Sequence, residues 1–190
     1  MNARSPYEGG FADQSIDAAK AFRACLEALA RPGRIEQIAG AKPPAPLSVA
    51  AGSLLLTLCD QETPVHLAAS HAGSEIADWL RFQTGAPLVP AEKAQFAIGH
   101  WEALQPLDRY RVGTPEYPDQ SATLIVECPD LGGSAHKLTG PGIETAHYMN
   151  LPDLAAFQVN SALFPLGLDF YFTAGDRLAG LPRTTQVEAA

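Results

Sequence analysis

With 190 residues, 46% hydrophobic and 18% charged, the chain has the length and composition of one globular domain with a core of its own. Thirteen Lys and Arg stand against 21 Asp and Glu, a formal net charge of −8 with no basic cluster, which argues against nucleic acid or an anionic membrane as a partner. Three cysteines far apart in sequence, Cys25, Cys59 and Cys128, fit buried free thiols in a reducing compartment. With no apolar run of bilayer length and no signal-peptide pattern in residues 1–13, the expected location is the cytoplasm.

Residues 1–190 are read as a single domain, with the polar, Gly-rich residues 1–12 as an extended N-terminal arm. Ile16, Ala19, Phe22, Leu26 and Leu29 recur at spacings of three and four, so 15–30 is predicted as a helix with Ser15 as its N-cap and Asp17 favouring its positive start. Arg31-Pro32-Gly33 ends it, and 34–39 reads as a short strand. The next helix, 48–59, is apolar all round and is expected to be buried on most sides. Val65 to Ala69 suits a strand. Residues 74–82 suit a helix with Ile76, Trp79 and Leu80 on one face. Ala94, Phe96 and Ile98 alternate as in a strand. A weak helix over 101–107 and a turn at Gly113-Thr114-Pro115-Glu116 precede a continuous apolar run over 122–127, the pattern of a strand covered on both faces. A helix over 151–163 and a strand over 168–173 close the series. Alternating helices and strands predict an α/β architecture, a mixed sheet with helices packed on its faces.

No complete catalytic constellation is present, and no catalytic residue is assigned. The five histidines lack metal-ligand spacing; His66 and His71 are five apart across a strand-to-loop junction, so no metal site is expected. None of the cysteines lies in a nucleophile motif, and no phosphate-binding glycine loop occurs. Of the lysines, only Lys137 stands near a glycine-rich turn, and it alternates with Leu138 as a solvent-facing strand residue would. The most specific local signals are two. In Leu138-Thr139-Gly140-Pro141-Gly142-Ile143, Pro141 fixes φ while Gly140 and Gly142 can take values closed to other residues. Such a turn can bring backbone N–H groups to a ligand, or it can be a tight corner with no guest. Arg183-Thr184-Thr185 offers a guanidinium fork and two hydroxyls, a set suited to phosphate oxygens or to tying the C-terminal tail onto the fold. Asp169, beside Gly167, is a carboxylate at a strand start. Gly140, Gly142, Asp169, Arg183, Thr184 and Thr185 therefore form the candidate ligand-binding set.

Over about residues 11–187 the chain resembles the PhnH family, whose members are components of the bacterial carbon–phosphorus lyase complex. The resemblance rests on Phe22-Arg23 with Ala28-Leu29-Ala30-Arg31-Pro32-Gly33, on Asp60-Gln61-Glu62-Thr63, and on Trp79-Leu80-Arg81-Phe82. It continues through Gly113-Thr114, Ser121-Ala122-Thr123-Leu124, the Gly-Pro-Gly stretch, Phe164-Pro165 with Gly167-Leu168-Asp169, and Pro182-Arg183-Thr184-Thr185. It implies a three-layer α/β fold like the large domain of pyridoxal-phosphate-dependent transferases, without the cofactor lysine and with no cofactor expected. It also implies a homodimer that joins the G, I and J subunits in a core complex required for phosphonate catabolism. That system forms a ribose 1-phosphonate 5-triphosphate from ATP and an alkylphosphonate by displacing adenine, as a ribose 1-methylphosphonate 5-triphosphate synthase. The nucleosidase chemistry is attributed to the I subunit, so this chain is expected to be structural rather than catalytic. The alternative is a stand-alone binding protein or enzyme for a phosphorylated small molecule. One departure stands out: the family reads Phe-Pro-Arg-Gly where this chain has Leu166. Where that arginine holds an anion or a partner's carboxylate, this chain lacks the contact.

Overall fold

The computed structural model describes residues 8–190, so the first seven residues of the predicted arm lie outside the described residues. The elements are α1 (Gln14–Ala30), β1 (Ile35–Gln37), α2 (Val49–Leu58), β2 (Val65–Leu67), α3 (Ser74–Thr84), β3 (Phe96–Gly99) and α4 (Trp101–Leu104). They continue with β4 (Thr123–Glu127), β5 (His136–Thr139), β6 (His147–Met149), α5 (Leu154–Ala162), β7 (Asp169–Ala174), β8 (Arg177–Leu181) and β9 (Gln186–Ala189). Six strands form a mixed sheet in the order β1-β8-β7-β4-β3-β2. The four strands from β2 to β7 run parallel; β8 and β1 add antiparallel at one edge. A separate three-stranded antiparallel sheet has the order β6-β5-β9.

The central strands carry no polar face because both sides are covered. Leu124 and Val126 of β4 join Phe170 and Phe172 of β7 in one core, with Trp101, Phe157 and, from the small sheet, Leu138, Met149 and Val187. Ile125 and Tyr171, the intervening residues, point into the other core, built from α1, α2 and α3. The predicted α/β class with a mixed sheet is therefore present, and layers lie on both faces. The second layer is only partly helical: the short α4 and α5 share it with the small sheet.

Local chemistry explains the helix ends. The N-cap of α1 is Asp13, not Ser15: its carboxylate accepts from Ile16 N at 3.0 Å, and its own N–H donates to Asp17 Oδ2 at 3.1 Å. A carboxylate satisfies a free helix N–H and also meets the positive helix end, so it outcompetes a hydroxyl two residues later. Ser48 and Asp153 cap α2 and α5 in the same way, through Ala51 N and Ala156 N. Residues 8 and 9 are tied down near α3, where Trp79 Nε1 donates to the Glu8 carbonyl (3.0 Å) and Lys42 N to that of Gly9 (2.8 Å).

Helix α1 has two apolar faces. The inward one is made of small residues, Ala21, Cys25 and Ala28. It packs so closely on β8 that a Cβ at Gly180 would stand 2.5 Å from the Ala28 carbonyl oxygen. The stripe of larger residues predicted from spacing is the outer one, with Ile16 54%, Phe22 48% and Leu26 54% exposed.

Candidate functional site

Arg183 leaves β8 two residues after Leu181 and turns its guanidinium onto Asp169, the first residue of β7. Its backbone N–H donates to Asp169 Oδ1 at 2.9 Å and its Nε to the same oxygen at 3.2 Å. Nη2 contacts Asp169 Oδ2 and Ser121 Oγ, while Nη1 donates to the carbonyls of Pro118 (2.9 Å) and Pro165 (3.4 Å). All three guanidinium nitrogens are engaged, and the two side chains are only 11% and 23% exposed. Thr184 and Thr185 lie beside Gly140, where a Cβ would stand 3.1 Å from the Thr184 carbonyl oxygen; Thr185 is buried. Gly142 packs elsewhere, with φ +81° and a hypothetical Cβ 1.9 Å from the Ala30 carbonyl at the end of α1. The fold thus gathers Gly140, Asp169, Arg183, Thr184 and Thr185 at one corner and sets Gly142 against α1. Next to them Gly167, at φ +122°, lies within 3.1 Å of the Asn160 carbonyl by the same construction.

A second cluster sits where the parallel strands end, the position at which open α/β sheets bind ligands. Glu127, the last residue of β4, is buried; Oε1 accepts from Ser48 N at 2.7 Å and Oε2 from Thr173 Oγ1 at 3.0 Å. Burial pushes its carboxyl above the usual range, against the lowering effect of those hydrogen bonds. His71 is buried beyond β2, with Nδ1 3.0 Å from Ser70 Oγ and the His100 ring edge-on at 5.2 Å. Burial, with His100 adding to it, lowers its pKa to about 4, so the ring is neutral at pH 7. A crevice of about 550 Å³ lies over this end, lined by Ser48, His100, Glu102, Glu127 and Cys128 among others. Sequence spacing did not single these residues out, because they come from four separate connections. The available signal was a lone carboxylate ending an otherwise apolar strand.

The other predicted chemistry-bearing residues are dispersed. His66 turns Nδ1 to the Val89 carbonyl (3.1 Å), apart from the His71–His100 pair. Among the described residues no three His, Cys, Asp or Glu side chains come together as a metal-holding group. Desolvation pushes the Cys25 and Cys128 thiols up to about 12 and about 11, and Cys59 upward as well. Lys137 pairs with Glu188 across β5 and β9 at 3.5 Å. Among the described residues no helix is long and apolar enough to cross a membrane.

Comparison with known proteins accounts for nearly the whole chain. The model of the family described as bacterial phosphonate metabolism protein (PhnH) matches residues 9–188. The chain is 40% identical over 198 aligned positions to the alpha-D-ribose 1-methylphosphonate 5-triphosphate synthase subunit PhnH of Rhizobium meliloti (strain 1021), covering 99% of each. It is 31% identical over 173 positions to the putative C-P lyase subunit protein HtxG of Stutzerimonas stutzeri, covering 88% of this chain and 84% of that one. The order and spacing of motifs from α1 to β9 thus have one source: the chain belongs to the PhnH family of bacterial phosphonate metabolism proteins.

Proposed function

We propose that the chain is a structural subunit of a carbon–phosphorus lyase assembly, required for making α-D-ribose 1-methylphosphonate 5-triphosphate but not itself the catalyst. The observation that carries this reading is the 40% identity, over 99% of both chains, to a named subunit of that synthase. Two features of the fold support the structural role. The Arg183 fork is occupied internally by Asp169, Ser121 and backbone carbonyls. The surface also carries two apolar patches, Ile16-Phe22-Leu26 on α1 and Val159-Leu163-Phe164 at the end of α5. In this reading the chain forms a homodimer in the cytoplasm and docks with the G, I and J subunits. Its sheet and flanking helices are those of the large domain of pyridoxal-phosphate-dependent transferases.

Co-expression with the G, I and J subunits and affinity capture through G provides the test. The expected outcome is a stable complex that contains this chain, with synthase activity that depends on it. Capture of a G–I–J complex that leaves the chain behind and is fully active without it would overturn the assignment.

A further inference from the structure

At the opposite, amino-terminal end of the parallel strands lies a polar cavity of about 550 Å³, where Phe96 opens β3 and Thr123 opens β4. Arg111 lines it. The Arg111 backbone is fixed by a hydrogen bond from Ala122 N to its carbonyl at 2.8 Å. Its guanidinium is not similarly served. Nε is buried without a partner, Nη2 reaches the Ala94 carbonyl only at 3.4 Å, and no carboxylate lies within ion-pair distance among the described residues. The unpartnered Nε is costly, because that donor has given up water and received nothing in exchange, while the residue as a whole is half-buried and lines the cavity. Neighbouring arginines show what the fold does elsewhere. Arg183 is matched by Asp169, and Arg109, whose Nε is also unpartnered, spends Nη2 on the Ala103 carbonyl (2.8 Å) and the Tyr110 hydroxyl (2.9 Å).

The rest of the lining supplies further donors. Ser121 Oγ accepts from Arg183 Nη2, which leaves its own hydrogen free to donate into the cavity. Thr123 and Gln95 line the same space. The single acid there, Asp119, is exposed at the rim. One apolar residue, the half-buried Phe96, lines the same volume while packing against the core of α1, α2 and α3. A cavity of this size exceeds what a bare tetrahedral anion fills.

We propose that this cavity binds an organic oxyanion of the phosphonate or phosphate-ester class, with its oxygens on Arg111, Ser121 and Thr123 and its carbon-bearing group against Phe96. The site stands on the chain's own geometry and not on the subunit assignment. Absence of anion binding would leave co-purification with the other subunits untouched, and the reverse also holds.

The test is isothermal titration of the full-length chain, in low-chloride buffer, with phenylphosphonate, methylphosphonate and inorganic phosphate. The expected result is saturable binding, tightest for phenylphosphonate. Arg111→Met keeps the apolar stem and removes the charged fork, so it should weaken binding by about tenfold or more, the loss of one charge-assisted contact. Asp119→Asn, at an exposed position, should tighten binding several-fold by removing a like charge from the rim. No saturable binding up to millimolar ligand, or binding that Arg111→Met leaves unchanged, overturns the proposal. If Arg111→Met does not fold, the decision passes to Asp119→Asn and Thr123→Val: unchanged affinity in both overturns it, and tightening in the first with weakening in the second supports it.

Discussion

The pair Asp169–Arg183 shows how one residue can be read correctly for chemistry and still leave its role open. A fork followed by two threonines suits a phosphate, yet here the fork meets a carboxylate fourteen residues earlier in the chain, together with Ser121 and two carbonyls. Asp169→Ala should therefore leave a nearly buried guanidinium without its counter-charge, at a cost of about 3 kcal/mol in urea unfolding. Asp169→Asn, which keeps one acceptor, should cost less. His71 makes a second residue-scale prediction. Its folded pKa is about 4, below the ordinary 6.5, so between those values the unfolded chain binds the proton and the folded chain does not. The contribution of His71 is complete above pH 6.5 and is lost as the pH falls through that window, by on the order of 3 kcal/mol. Glu127 acts in the opposite sense, because its raised carboxyl favours the fold toward acid. Comparing the pH dependence of unfolding in His71→Asn with that of the parent isolates the histidine: the variant should lose the decline below pH 6.5. Neither residue's setting was legible in the sequence, since both depend on segments that meet only after folding.

At the scale of the element, legibility followed periodicity. The 74–82 helix and its buried Ile76, Trp79 and Leu80 were readable from spacing, as was the apolar β4, because a repeating pattern reflects a repeating environment. Strand β8, Arg177-Leu178-Ala179-Gly180-Leu181, was not. Its small residues look poor as a strand, yet they are what permits the contact with α1. The α1 spacing revealed a helix but could not say which of two apolar stripes faces inward. The Gly-Pro-Gly turn is a joint between elements: it connects β5 to β6 and rests Gly142 on the carbonyl of Ala30. Gly142→Ala places a methyl group into that carbonyl and demands a left-handed backbone from an L-residue, so it should cost about 2–4 kcal/mol. Thermal unfolding checks this, and Pro141→Ala, which alters neither the φ +81° position nor the contact, is expected to cost much less.

For the molecule as a whole, association is where surface and fold meet. Ile16, Phe22 and Leu26 are large, apolar and exposed on one face of α1. A face of this kind is ordinarily covered in a working assembly. Phe22→Asp with Leu26→Asp should leave the circular dichroism spectrum and unfolding midpoint close to those of the parent, because neither side chain lies in the core. If the chain forms the proposed homodimer through this face, the mass measured by light scattering should nevertheless fall from that of two chains to that of one. A variant that keeps the parent's mass would move the contact to another surface, the α5 patch being the next candidate. The mixed sheet was legible as a class because helices and strands alternate. The small sheet was not, because its three strands are short and its last strand closes onto a segment some fifty residues earlier.

The close seat of α1 on Gly180 also bears on how the chain is made. Helix α1 is made well before β8, so α2 can cover part of its Ala21-Cys25-Ala28 face early, but the Ala28–Gly180 seat forms only once β8 has emerged. Until β8 arrives, the part of the inner stripe that it covers and the exposed Ile16-Phe22-Leu26 stripe are open to solvent together, a natural point for a chaperone to engage the nascent chain.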